Sequence, residues 1–271
     1  MTYVFANASG PTLTRFLASR VLLAFDFDGT LAPIAADPAA ARMRRRTLRV
    51  LDRVCRSYPC AVISGRRRDD VLGRLEGLPI RHVLGNHGAE SVEKERDVGV
   101  GAVLEILERE LHEAPGVEIE DKSCSVAVHY RRAEDRRRAR AHVERALGRV
   151  PPAYRVISGK LVYDVVPLSA PHKGDALKKL IAAEQLETVV YIGDDATDED
   201  AFRSATPDTL LSIRVGRHRA SAATHFLRDQ RELDVLLEFF ARARSFDGPS
   251  DHDRVGRVID ANAGPLKGHV R

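Results

Sequence analysis

The chain of 271 residues contains no tryptophan, and aromatic residues make up only 6% of it. So few aromatics, none interleaved with the arginines, disfavour a surface that stacks the bases of single-stranded nucleic acid. Long apolar runs are also missing. Nothing approaches the roughly 18 residues that a membrane helix needs, so no membrane partner is expected. Residues 1–20 lack a basic start followed by an apolar core, so no secretory signal is expected there. Cysteine is scarce: Cys55, Cys60 and Cys124 are odd in number and have no metal-ligand spacing. That pattern fits reduced thiols and a cytoplasmic location. No internal repeat is present.

What remains is an ordinary globular composition, 44% hydrophobic and 30% charged, with a net charge of +4. The length suffices for one large or two modest domains. Arginine far outnumbers lysine and clusters at residues 44–46, 66–68 and 136–138. These clusters read as solvated helix faces, with no nucleic-acid partner and a monomeric chain expected.

Residues 22–30 organise the reading. Leu22-Leu23-Ala24-Phe25 is a buried apolar strand that stops at Asp26; Asp28 and a Gly29-Thr30 turn follow. Two close carboxylates at the tip of a strand repel each other unless a cation or a shared proton relieves them. A helix around 12–19 precedes this strand. After it, apolar spacing predicts a helix over 38–57, a strand over 60–63, a helix over 69–75 and a strand over 80–84. This βαβαβ order begins a parallel doubly wound sheet. The pattern then changes to a helix over 100–113, strands over 117–121 and 124–131, and a charged helix over 134–147. Strands over 155–157 and 161–166 follow, joined by a hairpin turn at Ser158-Gly159-Lys160. This αββαββ run predicts a compact α+β insertion with a mainly antiparallel sheet. The first pattern resumes with a helix over 173–183, strands over 188–192 and 210–215, and a helix over 234–243. A loose tail is expected beyond 245. The predicted architecture is α/β, with a core from 1–90 and 167–271 interrupted by a smaller domain at 91–166.

Three further signals sit at strand ends or at a helix start. Ser64, in Ser64-Gly65-Arg66, offers a hydroxyl and nearby N–H groups to a phosphate oxygen. Lys173 opens a helix and brings a fixed positive charge. Asp194, Asp195 and Asp198 follow the strand over 188–192, an acidic cluster whose oxygen-only donors suit Mg²⁺. The order Asp-x-Asp-Gly-Thr, Ser-Gly-Arg, Lys-Gly, Gly-Asp-Asp-x-Thr-Asp resembles the haloacid dehalogenase (HAD) superfamily over about residues 20–240. The resemblance implies a Rossmann-like core and phosphoryl transfer through an aspartyl phosphate. It makes Asp26 the nucleophile and Asp28 the general acid and base. Ser64 and Lys173 would stabilise the transferring group. Asp26, the Asp28 backbone carbonyl and Asp194 would hold Mg²⁺, with Asp195 and Asp198 supporting them. Asp28 favours a phosphatase or mutase over the pump ATPases of the superfamily, which have Thr there. An insertion after the second motif, containing strands, points to the type 2 cap of sugar phosphatases.

Gly85-Asn86-His87-Gly88-Ala89-Glu90, Val128-His129-Tyr130-Arg131, Gly159-Lys160 and Gly193-Asp194-Asp195-Ala196-Thr197-Asp198 resemble trehalose-6-phosphate phosphatases. This implies a cap that closes over the sugar, hinged near residues 89–94 and 166–171. Its implied substrate-binding residues are Arg66, His87, Glu120, Lys122, His129, Arg131, Lys160 and Asp164. One letter departs from the pattern: the acid four positions after Lys160 is usually Glu, and here it is Asp164. Related phosphatases of sucrose phosphate or glucosylglycerol phosphate, and a non-catalytic sugar-phosphate sensor, are the alternative readings.

Overall fold

A computed structural model describes residues 1–35, 37–90, 99–159 and 161–244. In chain order its elements are β1 (Thr2–Tyr3), α1 (Gly10–Ala18), β2 (Val21–Phe25), α2 (Arg45–Ser57), β3 (Cys60–Ile63), α3 (Arg68–Arg74) and β4 (His82–Leu84). Then come α4 (Gly101–Leu111), β5 (Glu118–Asp121), β6 (Val126–His129), α5 (Arg136–Leu147), β7 (Tyr154–Gly159) and β8 (Val162–Pro167). The chain continues through α6 (Lys173–Ala183), β9 (Thr188–Gly193), α7 (Asp198–Phe202), β10 (Leu210–Val215), β11 (His225–Leu227) and α8 (Glu232–Arg244).

Seven strands form a parallel sheet in the order β1-β11-β10-β9-β2-β3-β4. All five residues of β2 are buried, as a strand covered on both faces requires. Its side chains alternate between two cores. Leu23 and Phe25 pack with Phe16, Leu51, Leu236 and Phe240 from α1, α2 and α8. Leu22 and Ala24 pack with Leu177 and Phe202 from α6 and α7. Burying one such leucine or phenylalanine contributes about 1.5–3 kcal/mol.

The inserted segment builds the second sheet, antiparallel in the order β5-β6-β8-β7. Val126, Val128, Tyr163 and Val165 pack with Val103, Leu107 and Val143 of α4 and α5. The strand period of two turns Glu120, His129, Val162 and Asp164 to the opposite face, which lines a cavity above the parallel sheet. The fold is thus a parallel α/β core carrying an inserted α+β cap.

Three details differ from the pattern read in the sequence. The helix expected over 38–57 is split. The Asp37 side chain accepts from the Ala39 N–H at 2.9 Å and Pro38 starts a single 3₁₀ turn. Extended backbone at Ala41 and Arg44 then delays α2 to Arg45. Ser158 and Gly159 are paired with Tyr163 and Val162, so both belong to β7 and not to the hairpin turn, and Leu161 stands at φ +65°. The edge strand β1 and its neighbour β11, of two and three residues, are too short to show a period. The expected tail beyond 245, residues 91–94 of the first hinge, and Lys160 lie outside the described residues.

Candidate active site

The strand order explains the convergence of the motifs. Strand β2 lies between β9 and β3, and neighbouring strands are about 4.8 Å apart, so their carboxyl ends share one edge. Asp26, Ser64 and Asp194, which follow these three strands, all line the same cavity of about 390 Å³. In open parallel sheets this edge is where ligands bind. Lys173 is the first residue of α6, whose start is fixed by a capping box between His172 and Asp175. Its ammonium donates to Asp26 Oδ1 at 2.7 Å and to Asp198 Oδ1 at 2.8 Å, with the side chain 1% exposed.

Asp198 is fully occupied. Its Oδ1 also accepts from the Tyr191 hydroxyl at 2.8 Å, and its Oδ2 accepts from the N–H groups of Asp194 and Asp195 at 2.8 and 2.9 Å. Asp195 Oδ1 in turn accepts from Thr197 N–H at 2.8 Å and Thr197 Oγ1 at 2.7 Å, so the acidic turn folds on itself. Asp194 differs: its Oδ1 is buried without a hydrogen-bond partner among the described residues. Carboxylate oxygens of Asp26, Asp194 and Asp198 lie within 4.8 Å of one another. Burial, reinforced by Asp198 and Asp195, pushes the Asp194 carboxyl up to about 8. Burial likewise raises Asp26, against the pull of Lys173. Burial also works against the charged form of Lys173, but Asp198 and Asp26 outweigh it and hold the ammonium protonated.

The loop after β3 brings four residues, Ser64, Gly65, Arg66 and Arg67, to the cavity. Ser64 is 1% exposed, and its Oγ accepts from the Arg66 N–H at 3.2 Å. Arg66, expected to touch substrate, is engaged within the protein. Its Nε and Nη2 donate to the two oxygens of Asp28 at 2.5 and 2.8 Å, Nη1 donates to Asp70 at 2.8 Å, and Nη2 reaches the Pro38 carbonyl at 2.8 Å. His87 lies beside this loop in a left-handed conformation, φ +58°. Neither of its ring nitrogens has a hydrogen-bond partner among the described residues. Burial lowers its pKa to about 4, so the ring is neutral at pH 7.

The cap closes the other side. Lys122 donates to Asp164 Oδ1 at 2.7 Å and to the Gly65 carbonyl of the core at 3.3 Å. His129 and Glu120 pair with each other at 2.9 Å. Arg131 donates to the Ala35 carbonyl of the core at 3.0 Å. A further bridge comes from Asn86, which donates to the Lys122 carbonyl at 2.9 Å and accepts from Ser125 at 3.2 Å. Every candidate residue within the described residues lines the cavity except Asp198, which lies beneath it. Sequence reasoning missed the structural parts of Tyr191, Thr197, Asn86 and Asp70. The spacing of Arg66, Asp70 and Arg74, four residues apart on α3 and its lead-in, was the one readable signal among them.

The trehalose-phosphatase family model matches residues 24–231. The chain is 32% identical over 222 residues to probable trehalose-phosphate phosphatase 9 of Oryza sativa subsp. japonica, covering 68% of this chain and 59% of that one. It is 38% identical over 195 residues to the trehalose-phosphate phosphatase of Mycobacterium avium (strain 104), covering 66% of this chain and 49% of that one. The chain thus spans about half to three-fifths of the length of these curated relatives. Among solved structures, the C-terminal domain of the C. albicans trehalose-6-phosphate phosphatase superposes with a TM-score of 0.73 at 24% identity, covering 86% of this chain and 96% of that one. With the motifs converging at one sheet edge beneath an inserted cap, the chain belongs to the trehalose-phosphatase family of the HAD superfamily.

Proposed function

We propose that the chain hydrolyses trehalose 6-phosphate to trehalose and inorganic phosphate, in the cytoplasm, through an aspartyl phosphate on Asp26. The observation that carries this reading is the buried Lys173–Asp26 contact at 2.7 Å on the floor of a cavity roofed by polar cap residues. Asp26 is held at the cavity floor by the end of β2, so one oxygen can attack phosphorus in line. The ester O–P bond breaks and its electron pair goes to the sugar oxygen. Asp28 gives that oxygen a proton, then takes one from the water that attacks the aspartyl phosphate. Phosphate leaves and Asp26 is restored. The ammonium of Lys173 and the hydroxyl of Ser64 balance the phosphoryl charge.

The donor set fits Mg²⁺: oxygen atoms alone, with one buried carboxylate oxygen of Asp194 lacking a partner among the described residues. Asp26, Asp194 and the Asp28 carbonyl would hold it, and Asp198 and Asp195 would orient Asp194. When bound, it supplies positive charge to the phosphoryl oxygens. In the cap, residues 91–166, we assign the sugar hydroxyls to Glu120, Lys122, His129, Arg131, Lys160 and Asp164, and assign His87 of the core to the same set.

A second reading, a phosphatase of a related sugar phosphate, is favoured by Asp164. Its shorter side chain is already drawn onto Lys122, which limits its reach toward a hydroxyl. A panel of trehalose 6-phosphate, sucrose 6-phosphate, glucosylglycerol phosphate and glucose 6-phosphate, read as released phosphate with Mg²⁺, separates the two. Preference for trehalose 6-phosphate supports the first reading. Preference for another sugar supports the second, and binding without turnover of any of them contradicts both.

A further inference from the structure

Asp28 lies beyond the end of β2, before a glycine at φ +81°, with its backbone in an isolated bridge to Ala32. Among the described residues its carboxylate has one side-chain partner, the Arg66 guanidinium, which grips both oxygens. A bidentate fork fixes the plane of a carboxylate as well as its place. Arg66 is itself immobilised. Its side chain is 14% exposed, its guanidinium lies 5.8 Å from the Phe27 ring, and Asp70 and the Pro38 carbonyl take further N–H groups. Asp70 is shared with Arg74, 8% exposed, at 2.7 Å, and Arg74 donates to the carbonyls of Ala39 and Ala41. Charges alternate along this chain, Asp28, Arg66, Asp70, Arg74, so no buried charge in it is left unbalanced.

We infer that Arg66 is the positioning residue for Asp28, held to that task by Asp70 and Arg74, and that it does not bind substrate. The inference rests on the phosphatase reading and on Asp28 serving as its proton donor. The arginine reaches the acid from the neighbouring strand end, where the loop that carries Ser64 also begins. One turn therefore sets both the phosphate-facing hydroxyl and the orientation of the acid.

The test compares Arg66→Gln and Arg66→Lys with wild type in the first turnover of two substrates, trehalose 6-phosphate and p-nitrophenyl phosphate. The sugar oxygen needs a proton to leave, whereas nitrophenolate does not. General acid catalysis contributes about 10²–10⁴-fold, so either variant should lower the first-turnover rate on the sugar phosphate by about a hundredfold or more. KM should stay near wild type, and release of nitrophenolate in the first turnover should be nearly unchanged. Arg66→Lys keeps the charge and loses the fork, so its failure would show that geometry, not charge, is what matters. A loss confined to KM would make Arg66 a substrate ligand and overturn the inference. Equal losses on both substrates, or wild-type kcat, would also overturn it. Asp28→Asn, run in parallel, tests the underlying reading. If it keeps full activity on the sugar phosphate, the proton-donor assignment fails whatever Arg66 does.

Discussion

A β-carbon placed on Gly29 would lie 2.1 Å from Asp194 Oδ2, across the gap between the end of β2 and the end of β9. The glycine also sits at φ +81°, where a side chain is strained. Its absence of a side chain therefore makes room for the very acid whose other oxygen is buried without a partner among the described residues. Gly29→Ala is expected to displace the Asp194 carboxylate. Calorimetric titration with Mg²⁺ should then give at least about tenfold weaker binding, roughly 1.4 kcal/mol. Unchanged affinity would mean that Asp194 does not hold the ion.

Lys173 bridges two buried carboxylates, and removing it leaves both without their cation. Lys173→Met should cost about 3–5 kcal/mol in urea unfolding at neutral pH without added metal. Adding Asp26→Asn to that variant should recover part of the loss, because one unpaired charge is gone. Additive losses would contradict a direct coupling.

His87 gives the molecule a pH dependence of known sign. Its pKa falls from 6.5 to about 4 on folding, chiefly through burial. Above pH 6.5 the ring is neutral folded or unfolded. Between there and pH 4 the unfolded chain takes up a proton that the folded chain refuses, so stability falls as pH falls, by about 3 kcal/mol in total. His87→Asn, which tolerates the left-handed backbone, should remove that share of the decline. Unfolding free energies of both proteins at pH 7 and pH 4 check this. Equal declines would remove His87 as the cause.

Much of this site is legible in the sequence, because its acids stand where apolar runs stop. Leu22 to Phe25 announces a buried strand, and Asp26 marks its tip. The same reasoning places Ser64 and Asp194, and apolar alternation separates the cap from the core. Contacts between distant segments are not legible. The Arg66–Asp28 fork joins residues 38 apart and Lys122–Asp164 joins residues 42 apart, and neither pairing follows from local spacing. The misplaced start of α2 has a local cause: Ala40 and Met43 fit an apolar helical face, but Asp37 and Pro38 close a separate turn first.

Asn86 ties the core to the cap through Lys122 and Ser125 from a backbone at φ +46°. Asn86→Gly keeps that backbone accessible while deleting the side chain. A cost of about 1–3 kcal/mol is expected, with faster amide exchange at residues 122–126 than elsewhere in the cap. Uniform exchange would show that this bridge does not hold the cap.

The proposed reaction turns on Asp26 taking the phosphoryl group from the sugar. Rapid acid quench during turnover of trehalose 6-phosphate with Mg²⁺, followed by borohydride reduction, converts an acyl phosphate on aspartate to homoserine. Peptide mass mapping should find homoserine at position 26 alone, and none in Asp26→Asn. Turnover of trehalose 6-phosphate with Asp26 unmodified at every quench time, or a reduced residue elsewhere, would contradict it.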